Sequence, residues 1–141
     1  MTRILTIIAL LFATPLWADE EESRREMLEM ADGFARCAAV FKVMALNSSG
    51  SGKNFSAKQD EQLANGAEVA SWFLAGSMGR KHASKRAAAI IDTEFTTWMA
   101  LLETNPRALA DLYQPKYESC IANLPMQEAI INMARDKVYD Q

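Results

Sequence analysis

From Met27 to Ala45 the apolar positions recur at helical spacing. Met27, Met30, Phe34, Cys37, Phe41 and Met44 follow alternating steps of three and four, which lays one stripe along one face of a helix. The pattern predicts a first helix that opens near the acidic run Asp19-Glu20-Glu21-Glu22 and ends near Leu46. Carboxylates in a first turn favour the positive end of the helix dipole. Glu20–Arg24 and Glu21–Arg25 are spaced as i, i+4 ion pairs. Gly33 lowers helix propensity by about 1 kcal/mol relative to Ala, and its missing side chain is expected to let a neighbouring helix approach.

The polar stretch from Asn47 to Asn54 breaks the pattern, and its Gly, Ser and Asn content predicts a loop. Ser56-Ala57-Lys58-Gln59 then fits a capping box that starts a second helix. Its stripe is Leu63, Ala67, Ala70, Leu74 and Met78, and the small residues Gly66, Ala70, Gly76, Ser77 and Gly79 predict tight packing. Gly79 followed by Arg80, Lys81 and His82 is a helix stop signal. Ser84 can cap a third helix from about Lys85 to Thr104, with a stripe of Ala87, Ile91, Phe95 or Glu94, Trp98 and Leu102. Asn105-Pro106 opens a short helix through Tyr113, with Pro115 expected to kink or restart it. Tyr117, Cys120, Ile121 and Leu124 share a face beyond it. Pro125 restarts the chain once more, and a last helix from Met126 to about Tyr139 carries Met126, Ala129 or Ile130, Met133 and Val138. No run alternates at period two, so no sheet is expected. The fold class is all-α, a bundle of four to five helices.

Residues 1–18 have the form of a signal peptide: Arg3, the apolar run from Ile4 to Phe12, then Pro15 and a small residue, Ala18, before the cut. The uncharged run is shorter than the roughly 20 residues a spanning helix needs. Cleavage leaves 19–141 as a single helical domain and places it in the periplasm or outside the cell. Removal of the segment takes away one of the 15 basic residues and none of the 18 acidic ones. The resulting mild acidity argues against nucleic-acid binding. No later stretch is apolar enough to span a membrane.

Export gives meaning to the two cysteines, Cys37 and Cys120. In an oxidising compartment such a pair is expected to form a structural disulfide. A redox pair would need close spacing and an electropositive setting, whereas Cys37 is flanked by Phe34, Ala38 and Ala39.

Candidate chemistry is mostly excluded. His82 is the only histidine, which rules out multi-histidine zinc sites and paired Glu-x-x-His di-iron motifs. Gly50-Ser51-Gly52-Lys53 lacks the spacing and the strand of a P-loop. Glu61, Glu68, Glu94 and Glu103 offer a carboxylate-dependent hydrolase reading, but solvated helix surface accounts for them. No cofactor, metal or catalytic residue is expected. Two features can carry binding. One is the basic corner Arg80, Lys81, His82, Lys85 and Arg86, suited to an anionic partner, to lipid head groups or to a solvated helix end. The other is methionine, since Met-rich surfaces adapt to varied apolar partners. Met126 and Met133, with most of the others, fit helical stripes, and core filling is expected of them.

Cys37-Ala38-Ala39-Val40-Phe41 and Tyr117-x-x-Cys120, together with the signal segment, resemble small exported, disulfide-bonded helical proteins of proteobacteria. The architecture is also similar to that of periplasmic immunity proteins. These resemblances imply a non-enzymatic periplasmic binding or interaction protein, of inhibitor, immunity or chaperone-like type. A carrier of a small apolar ligand between the helices is the alternative, and the hydrolase comes third.

Overall fold

The stripe on Met27–Met44 faces a core, and it runs one turn further than the apolar residues do. Ser48, four positions after Met44, is also buried, and the helix continues to Gly50, into the polar stretch expected to be a loop. The structure is a computed structural model that describes residues 16–50, 52 and 54–139. It consists of α1 (Leu16–Gly50), α2 (Asn54–Ser77), α3 (Ala83–Thr104), α4 (Pro106–Ala122) and α5 (Leu124–Tyr139), with no strand among the described residues. Fifteen of the eighteen residues read as a signal peptide, 1–15, lie outside the described residues. Leu16 to Ala18 open α1, so cleavage after Ala18 would fall within its first turn.

α1 and α2 form the main helix pair, joined by a short turn in which Gly52 takes a positive φ of 76°. α2 begins at Asn54, two residues before the expected cap Ser56, which is exposed. Its buried face is Ala57, Asp60, Ala64, Ala67, Ser71 and Leu74, again at steps of three and four. Small side chains dominate this face, and it packs against the larger ones of α1, Phe34, Val40 and Phe41. Close contact between α2 and α5 occurs at Gly66, where a Cβ would meet Gln127 and Ile131. At Gly33 the expectation fails, because a Cβ there would touch nothing within 4 Å.

α2 ends in a Schellman turn. The amide of Arg80 donates to Ala75 O and that of Gly79 to Gly76 O, with Gly79 at φ +78°. His82, not Ser84, precedes α3 as its cap residue, in the left-handed region at φ 54° and with no side-chain capping bond. Arg24 does not pair with Glu20; its Nε donates to Met78 O at the α2 terminus, where carbonyls lack helical partners. Arg25 pairs with Glu22 instead of Glu21.

Asn105 caps α4 as predicted, accepting from the amide of Ala108 with Pro106 in the first turn. Pro115 neither ends nor restarts α4, which is one helix from Pro106 to Ala122. The carbonyl that Pro115 cannot satisfy belongs to Asp111, and both residues are exposed, so water can take the bond. α4 directs Tyr113, Tyr117 and Cys120 inward. The disulfide joins Cys37 and Cys120 across the core, with their Cα atoms 5.4 Å apart. Around it, Phe41 meets Tyr117 edge-on and Trp98 meets Tyr113 edge-on. α5 packs mainly on α2. No helix among the described residues is long and apolar enough to cross a membrane.

Candidate functional site

The basic corner is only partly free. The Schellman turn and the first turn of α3 bring Arg80 and Arg86 onto Asp32 of α1. Arg80 Nη1 donates to Asp32 Oδ1, and Arg86 Nη2 donates to Oδ2 at 3.0 Å. Burial of Asp32 would raise its pKa, but the two guanidinium groups outweigh that and hold the carboxyl below the usual range. These two arginines therefore fasten the α2–α3 turn to α1. Lys81, His82 and Lys85 remain exposed, and none of them has an ion pair among the described residues. The corner offers an anion three groups rather than five.

The methionines divide. Met27, Met30, Met44, Met78 and Met99 are half-buried, in keeping with core filling. Met126 and Met133 are 44% and 52% exposed, which overturns that expectation for them. The inner face of α5 is Gln127, Ile130, Ile131 and Ala134. Gln127 reaches that face because its Nε2 donates to Leu63 O at 3.4 Å. The stripe Met126, Ala129 and Met133 consequently points outward.

Met126 of α5 also lines a groove of about 440 Å³ whose other walls come from α1, α3 and α4. The disulfide forms part of its lining, with Met30, Phe34, Val40 and Trp98. Gly33 opens the groove on the α1 side, since no atom lies near its missing Cβ. The rim carries Lys116 and the Arg36–Glu94 pair, 3.5 Å apart. The Trp98 indole Nε1 is buried without a hydrogen-bond partner among the described residues. Sequence periodicity could not reveal this groove, because its walls come from four helices.

A second groove, of about 820 Å³, follows the α2–α5 seam past Gly66, Trp72 and Phe73.

Two of the four glutamates are held in ion pairs. Glu68 pairs with Lys42 at 3.4 Å and Glu94 with Arg36, while Glu61 and Glu103 are exposed. No group of three His, Cys, Asp or Glu residues is placed to hold a metal among the described residues. One carboxylate that the sequence reading passed over is buried: Asp60, 5% exposed, with Tyr117 Oη donating to it at 3.3 Å. Burial raises its pKa, and the tyrosine bond offsets this only in part. Burial likewise raises the pKa values of Tyr113 and Tyr117, reinforced by the charge of Asp60. Tyr113 is spent structurally, since its hydroxyl donates to Val40 O.

Comparison of the chain with protein-family models, with curated proteins and with solved structures finds no match in any of the three.

Proposed function

We propose that this chain is an exported, non-enzymatic interaction protein that receives an apolar segment of a partner protein. The observation that carries this reading is the outward stripe Met126, Ala129 and Met133, of which Met126 lines the groove beside the disulfide. Methionine is unbranched and polarisable, so a surface built from it moulds to different apolar partners. Large apolar side chains left exposed at a groove mark interaction surfaces more often than chance exposure does. The bridge beneath gives the groove a rigid base. Lys116 and the exposed Lys81 and Lys85 add positive charge for steering an acidic partner. The signal-peptide form of residues 1–18 supplies the compartment in which such a bridge persists.

The test pairs export with capture. Mass spectrometry of the exported product should give an N-terminus at Asp19; an intact Met1 on membrane-bound material overturns the export half. Wild-type protein and a Met126→Gln, Met133→Gln variant are then used to capture partners from the exported fraction. A protein held by the wild type and lost by the equally stable variant supports the groove. Loss with Lys81→Gln, Lys85→Gln, and none with the methionine changes, moves the site to the basic corner.

A further inference from the structure

The opposite flank of α5 has different chemistry. Along the α2–α5 seam, Gly66, Val69, Trp72, Phe73, Ile131 and Ala134 line the second groove. On α2 the lining extends from Gln62 to Phe73, roughly three helical turns, or about 16 Å at the α-helical rise. Gly66 keeps the floor low at the point where the helices meet. Trp72 is 38% exposed and stands edge-on to Phe73. The volume, about 820 Å³, lies within the usual 300–1,000 Å³ span of small-molecule sites.

Charge is placed at one end only. Arg135 and Lys137 line the groove, neither is in an ion pair among the described residues, and no described carboxylate lines it. Lys137 Nζ lies 5.3 Å from the centre of the Phe73 ring, which holds the cation against the apolar floor. Gln62 and Asn65, neutral amides, stand toward the other end. Two cations without an ion pair among the described residues, at the head of an apolar trough, call for a ligand with one negative end and one apolar tail.

We infer that the α2–α5 groove binds a single-chain carboxylate amphiphile, a long-chain fatty acid, with its tail on Val69, Trp72 and Ile131 and its carboxylate at Arg135 and Lys137. A partner helix would bring charge along both of its flanks, whereas this groove is cationic at one end. A bilayer would meet a convex apolar face, whereas Trp72 and Phe73 line a concave one. The inference is independent of the methionine-lined groove on the other flank.

Calorimetric titration with sodium myristate, kept below its micelle threshold, tests it on the full exported protein. Saturable one-to-one binding is expected. Tetradecyltrimethylammonium, with the same tail and a cationic head, should bind at least tenfold more weakly. Arg135→Gln, Lys137→Gln should weaken myristate at least tenfold; both residues are exposed, and an unchanged melting curve shows that the fold survives. Charge reversal, Arg135→Glu with Lys137→Glu, should invert the preference between the two head groups. Absence of saturable binding overturns the inference, whether or not the protein sediments with anionic vesicles. So does equal binding of the two head groups, or loss of binding with Met126→Gln, Met133→Gln in place of the arginine and lysine changes.

Discussion

Gly66 on α2 lies so close to Gln127 on α5 that a Cβ at position 66 would stand 2.6 Å from the Gln127 Nε2. The Cδ1 of Ile131 would be 3.2 Å away. Gln127 is buried and its amide donates to Leu63 O, so yielding to a new side chain breaks a hydrogen bond in the α2–α5 seam. Gly66→Val should lower stability by about 1–3 kcal/mol, the usual cost of overpacking. Gly33→Ala should do the reverse. It adds a methyl in open space inside a helix and should gain about 1 kcal/mol from propensity alone. Urea denaturation of the two variants checks the opposite signs.

The disulfide restrains a loop of 83 positions and leaves the folded chain nearly as it is. A Cys37→Ala, Cys120→Ala pair should cost about 2–5 kcal/mol and lower the melting temperature by several degrees or more. Helix content well below the melt should hardly change, because the bridge sits between helices rather than within one. Two free thiols in the protein purified without reductant, titrated under denaturing conditions, would contradict the bond.

Periodicity read the α1 stripe correctly because its positions are apolar and large. On α2 the same rhythm is present but disguised, since Asp60 and Ser71 occupy inward positions and alanines fill the rest. A polar residue on a buried face is invisible until its partner, here Tyr117, is placed. On α5 the stripe Met126, Ala129 or Ile130, Met133 and Val138 left two faces open, and only Ile130 of the first four turns inward. Spacing defines a face; the burial of Ile130 and Gln127 against α2 shows which face turns inward. The basic corner was legible as charge. That Arg80 and Arg86 are held by Asp32 was not, since the acid lies 48 and 54 positions earlier in the chain.

Asp32 should be the costliest surface carboxylate to lose. Asp32→Asn removes a charge that satisfies two guanidinium groups, of which Arg80 is well shielded. Hydrogen bonds to charged groups are worth about 1.5–3 kcal/mol, and a loss in that range is expected. Arg86→Ala should cost less, below about 1 kcal/mol, because the Arg86 side chain is 53% exposed. The pKa of Asp32 is lowered in the folded state. Its contribution is therefore present above the unfolded carboxylate pKa and is lost as pH falls through the folded value. Denaturation midpoints of wild type and Asp32→Asn should converge at acidic pH.

Asp60 should show the opposite pH dependence. It is buried, no cation pairs with it among the described residues, and Tyr117 donates a hydrogen bond to it at 3.3 Å. Burial raises its pKa above the unfolded value, so the folded state holds the proton more tightly than the unfolded chain does. The sign follows directly: its contribution is fully present below the unfolded pKa and is lost as pH rises through the folded one. At neutral pH the ionised carboxylate costs stability. Asp60→Asn keeps the shape and still offers an oxygen to Tyr117, but carries no charge. The variant should therefore be more stable than wild type near neutrality, and the gain should disappear below the unfolded carboxylate pKa. Chemical denaturation of both proteins across the acidic and neutral range reads the difference directly. A variant less stable at neutral pH, with the deficit vanishing in acid, would mean that the ionised Asp60 stabilises the bundle through its bond to Tyr117.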